Sequence, residues 1–201
     1  ACSMRPMARS LQRAGFGTLC LAYPSTSAPV ADLADAHLLP AFDRLRASGA
    51  RRIHVVTHSM GGILLRSALA RHDLPGLGRV VMLAPPNRVS EVVDRIGDWW
   101  LFGAINGPAG RELGTGADGI AARLPAITVP CLVIAGDRSI NRINSAMIPR
   151  PDDGKVAVAR TGGVGESGVF VVHAWHPTIM RHRRAQAATA GFLRHGTLTL
   201  P

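Results

Sequence analysis

Apolar and polar positions alternate along the chain in blocks of two kinds, short continuous apolar runs and longer stretches with helical periodicity. Met4, Met7 and Leu11 recur at helical spacing before Gly15, and the apolar run over residues 16–23 then reads as a buried strand closed by Pro24 and Ser25. A second helix starts at the capping residue Asp32 and turns Leu33, Leu38, Leu39, Phe42 and Leu45 inward. Pro40 is expected to kink it and Gly49 to end it. Strands follow at residues 53–57, 79–83, 131–135 and 169–172, with helices over 61–70 and from about 180 to 195. Strand and helix in steady alternation predict an α/β fold with a mostly parallel sheet and helices on both faces.

Regularity fails between about residues 90 and 125, where Trp99, Trp100, Leu101 and Phe102 are followed by glycines and Pro108. That stretch is expected to be an irregular, lid-like insertion in a single domain spanning residues 1–201. Trp99, Trp100 and Phe102 would form either a lid or acyl-chain wall, or a packed helix.

Composition narrows the class. Of 201 residues, 47% are hydrophobic and 18% charged, the balance of a packed chain rather than a disordered one. Only 4% are aromatic, so the core must be built from Ala, Val, Leu and Ile, which suits helices laid on a buried parallel sheet. No apolar run approaches the roughly 20 residues of a membrane span, so no transmembrane segment is expected in this chain.

A formal charge of +10 raises the possibility of a polyanionic partner. All but one of the 23 basic residues are arginine, however, and they are scattered, with one dense cluster at Arg181, Arg183 and Arg184 that reads as a solvated helix face. No nucleic-acid partner is expected. Cys2, Cys20 and Cys131 have no metal-type spacing and read as small core residues without a disulfide framework. Compartment and oligomeric state stay open, with the cytoplasm slightly favoured.

Chemistry concentrates in Ile53-His54-Val55-Val56-Thr57-His58-Ser59-Met60-Gly61-Gly62-Ile63-Leu64-Leu65, where a buried strand runs through a very tight turn into an apolar helix. Such a turn lifts the serine side chain off the sheet and crowds the backbone, so a nearby residue must be small, a need that Gly61 meets. The helix N-terminus behind Ser59 offers free amides and a positive dipole end to a developing oxyanion. A serine that merely caps a helix would look similar over two residues, but not over the whole strand, turn and helix.

Here the chain resembles the lipase and esterase members of the α/β-hydrolase superfamily, whose G-x-S-x-G elbow is commonly written GHSMGG. This chain has Thr57-His58-Ser59-Met60-Gly61-Gly62, with threonine for the first glycine. The resemblance extends to Tyr23-Pro24-Ser25 and to Leu83-Ala84-Pro85-Pro86-Asn87. It implies an ester hydrolase acting through an acyl-enzyme on a small-molecule or lipid ester, without a cofactor or metal. Alternatives are an acyltransferase or thioesterase on the same residues, or a non-catalytic module of this fold.

The resemblance implies Ser59 as the nucleophile and the Met60 N–H as one oxyanion contact, with the acid and then the base following in chain order. Asp153-Gly154-Lys155-Val156 looks like the D-G-x-V turn that carries the acid in related lipases; Asp137, at the end of a strand, and Asp152 are the alternatives. His176-Pro177-Thr178-Ile179-Met180 looks like the segment that carries the base, with His173 the alternative. Two histidines three residues apart could also ligate a metal, but they lack a clear third ligand. His58 reads as a packed, hydrogen-bonded ring.

The resemblance carries one more expectation. In the family, a strand ending in His-Gly lies between those corresponding to residues 16–23 and 53–57, and the loop after it donates the second oxyanion N–H. The chain is therefore expected to lack that strand, leaving two sheet edges facing a gap.

Overall fold

In a computed structural model the chain is described over residues 3–88, 120–139 and 150–198. Four strands, β1 (Ile53–His58), β2 (Leu77–Leu83), β3 (Cys131–Gly136) and β4 (Val169–Val172), form one sheet in the order β1-β2-β3-β4, every pair parallel. The described α-helices are α1 (Arg5–Arg13), α2 (Val30–Leu33), α3 (Leu39–Ala47), α4 (Gly61–Leu69), α5 (Ile120–Arg123) and α6 (Arg183–His195), with a π-turn at Ala34–Leu38 joining α2 to α3 and 3₁₀ turns at Val158–Arg160 and His176–Arg181.

Two-residue alternation in the strands divides the core into two layers. Val80, Met82, Cys131 and Val133 face the side covered by α2, α3 and α4, packing among Leu33, Phe42, Ile63 and Leu64. Val81, Leu83, Leu132 and Ile134 face the other side, against Met7 and Leu11 of α1 and Ala188, Phe192 and Leu193 of α6. All eight strand residues are buried, as expected where helices cover both faces of a parallel sheet.

Several elements differ from expectation. The second helix begins at Val30 and places Asp32 in its first turn, without a side-chain cap. Its irregularity is the π-turn just before Pro40, the position where a proline's missing N–H removes a helical hydrogen bond. Ahead of α6, residues 176–181 form a tighter 3₁₀ turn.

The largest correction concerns residues 16–23, which are no strand. They carry no regular secondary structure and are a mixture of half-buried and exposed positions. A strand is made by the ladder alongside it, and among the described residues no ladder is formed by this run. On the facing side β1 pairs only with β2 among the described residues. Between the two runs lies a cavity of about 1060 Å³, lined by residues of both and by Met7, Leu38, Phe42 and Leu45. Cys20 lies on this half-buried run and is disulfide-bonded, against the expectation of a core thiol; its partner falls outside the described residues. Cys131 is the free, buried cysteine expected.

Trp99, Trp100 and Phe102, and all of the 90–125 stretch before α5, lie outside the described residues. Among the described residues no helix is long and apolar enough to cross a membrane.

Candidate active site

Ser59 follows β1 directly and precedes α4, and its backbone is in the left-handed region at φ 51°. Few residues other than glycine adopt that conformation unless their surroundings enforce it. Two bonds do so here: the Ser59 N–H donates to the Leu83 carbonyl at 2.9 Å, holding the turn to β2, and the Gly62 N–H donates to the Ser59 carbonyl at 3.0 Å. A side chain at Gly61 would meet the Thr57 Cβ at 3.4 Å and the Tyr23 hydroxyl at 3.9 Å. Both are ordinary van der Waals distances, so Thr57 does not by itself require Gly61 to be bare.

The Ser59 Oγ lies 3.0 Å from His176 Nε2, and His176 Nδ1 lies 2.7 Å from Asp153 Oδ2. A carboxylate only accepts hydrogen bonds, so Nδ1 carries the hydrogen and the Nε2 lone pair faces the serine hydroxyl. His176 and Asp153 are 4% and 2% exposed. With water largely excluded, their hydrogen bond is electrostatically stronger than it would be at the surface. Asp153 is itself fixed: its Oδ1 accepts from the Lys155 and Val156 amides at 3.0 and 2.8 Å, and its backbone carbonyl accepts from the His176 N–H at 3.0 Å. Met60 opens α4 beside Ser59, where the first amides of a helix have no partner within it.

Gly136, the last residue of β3, allows the acid and base loops to meet. A side chain there would come within 2.5 Å of the Ala174 carbonyl and 2.9 Å of the Asp153 Cβ. Gly136→Ala is expected to destabilise the fold by about 1–3 kcal/mol through this overpacking and to slow any chemistry that needs Asp153 against His176. Urea denaturation alongside an activity assay checks both effects; unchanged stability would contradict the close approach.

The alternative residues lie elsewhere. His173 Nδ1 and Asp137 Oδ1 pair with each other at 2.9 Å, with the His173 side chain 69% exposed. Asp152 accepts from the Gly154 amide at 2.8 Å and serves the turn. Among the described residues, no group of three His, Cys, Asp or Glu side chains is arranged to hold a metal.

His58, one residue before the serine, is half-buried with its ring centroid 4.8 Å from that of His176. Burial foremost, and the neighbouring His176 next, push its pKa down from 6.5 to about 4. Between those values the unfolded chain takes up a proton that the folded state refuses, so this group's contribution to stability is lost as pH falls from 6.5 to about 4. Thermal unfolding followed across that range should show a decline that His58→Gln makes shallower.

The chain, a parallel sheet with helices on both faces, has the α/β-hydrolase fold. Among solved structures, the mature form of Bacillus licheniformis lipase BlEst2 is similar at a TM-score of 0.64 and 18% identity, over 95% of this chain and 83% of that one. Phospholipase PlaB from Legionella pneumophila is similar at a TM-score of 0.54 and 18% identity, over 80% of this chain but 42% of that one. No protein-family model matches the chain, and no curated protein matches it in sequence.

Proposed function

We propose that this chain is a serine hydrolase of carboxylic esters, acting through an acyl-enzyme. The observation that carries the reading is the continuous relay from the buried Asp153 carboxylate through His176 to a serine hydroxyl held out on a left-handed turn. A packing serine needs neither a base with the correct tautomer nor a carboxylate fixed by two amides. The likeness to a lipase and a phospholipase in fold agrees with this chemistry.

In the proposed reaction, Ser59 Oγ attacks the ester carbonyl as its proton passes to His176 Nε2. Asp153 stabilises the imidazolium that forms, and the Met60 N–H contributes to holding the oxyanion. Collapse of the tetrahedral intermediate expels the alcohol, protonated by His176, and leaves an acyl-serine. Water, deprotonated by the same imidazole, releases the acid.

The cavity beside β1 reaches Ser59 and His176 and also meets Met60, Tyr23, Pro86 and Val156. This largely apolar frame suits a small-molecule or lipid ester. A fluorophosphonate tests the reading directly, since it labels activated serines: stoichiometric labelling at Ser59 with turnover of a p-nitrophenyl ester is expected. Absence of both would make the chain a non-catalytic member of the fold. Acyl transfer to an added alcohol exceeding release of free acid would reassign it as an acyltransferase.

A further inference from the structure

His58 has no part in the proton transfer described above, yet it touches the base. It ends β1, and its Nε2 lies 3.0 Å from the backbone carbonyl oxygen of His176, across 118 residues of sequence. A carbonyl can only accept, so His58 Nε2 carries the hydrogen and donates it. His176 is thereby held at three points: its backbone N–H on the Asp153 carbonyl, its ring Nδ1–H on the Asp153 carboxylate, and its carbonyl on His58. Two of these restraints lead to the acid loop. The third leads to the residue bonded covalently to the nucleophile.

We propose that His58 is a positioning residue: its Nε2–H ties the His176 backbone to the nucleophile turn and so sets the separation of His176 Nε2 from Ser59 Oγ. This rests on the serine-hydrolase reading. Without the tie, the acid loop could shift relative to β1 and carry the imidazole with it, and the 3.0 Å contact would lengthen. The groups acting on the ring are His176, Asp153 and Lys155. Burial keeps His58 neutral at pH 7, so it places no positive charge beside the imidazolium that must form on His176.

Two substitutions in the full chain separate a tether from a space-filling ring. His58→Leu fills space without a donor, whereas His58→Gln presents an amide N–H at a similar reach. With ester as substrate, His58→Leu is expected to lower kcat by about 10- to 100-fold at unchanged KM, and His58→Gln to recover to within roughly fivefold of wild type. Thermal unfolding shows that both variants are folded. Wild-type kcat in His58→Leu, or a folded His58→Gln as slow as His58→Leu, would overturn the proposal.

A wild-type chain that neither labels nor turns over would instead remove the hydrolase reading. In that event the tether is judged by ¹⁵N NMR of the His58 ring. A neutral ring protonated at Nε2 and slow to exchange with solvent is the expected result; an Nδ1-protonated ring, or one charged at pH 7, overturns the tether.

Discussion

Ser59→Ala is expected to reduce ester turnover by about 10⁴- to 10⁶-fold, because removal of the nucleophile forfeits the whole covalent route and leaves only oxyanion binding and proximity. The fold should survive. The serine side chain is half-buried at the mouth of the cavity, and its turn is held by backbone bonds to Leu83 and from Gly62 that alanine keeps. His176 Nε2 loses a partner, but His176 lines the cavity, from which water can replace it. Intact-protein mass spectrometry after fluorophosphonate treatment gives the cleanest measurement. A labelled Ser59→Ala protein would mean that another residue is the nucleophile.

Asp153→Asn should cost about 10⁴-fold in kcat while leaving the turn intact. The asparagine carbonyl can still accept from the Lys155 and Val156 amides, which directs the NH₂ group toward His176. Two donors cannot face each other, so the imidazole must move its hydrogen to Nε2, the atom that has to accept the serine proton. Asp137→Asn serves as the contrast: it perturbs an exposed pair with His173 and should stay within about threefold of wild type, as surface substitutions generally do. Equal losses in the two variants would return the acid assignment to Asp137.

Local and non-local structure differed in how far they could be read from the residues. The strand, turn and helix around Ser59 were legible because they are consecutive, and each depends on neighbours only a few positions away. β2, β3 and β4 were legible for a related reason, since a short apolar run flanked by turn residues has few other ways to be buried. Residues 16–23 present the same kind of run and form no strand. Apolar sequence indicates a wish for burial, but pairing depends on what lies alongside, which the run itself does not encode. That Asp153 and Ala174 meet over Gly136 also depends on chain reversal rather than on any local pattern. His58 was visible as a histidine next to the serine, while its bond to a carbonyl 118 residues away was not.

Among the described residues β1 pairs on one side only, and this has a consequence in time as well as in space. The Ser59 N–H points toward β2, so by the two-residue period of a strand the amides of Val55 and Thr57 share that side, while those of His54, Val56 and His58 point toward the cavity. Deuterium should therefore enter β1 in a zigzag, with every second amide exchanging fast beside a slow neighbour. β2, flanked on both sides over Val80–Leu83, should exchange slowly there. The strand that delivers the serine would then be rigid along one edge and permeable along the other, and any segment or molecule that came to lie against its open edge would announce itself by quieting those alternate amides.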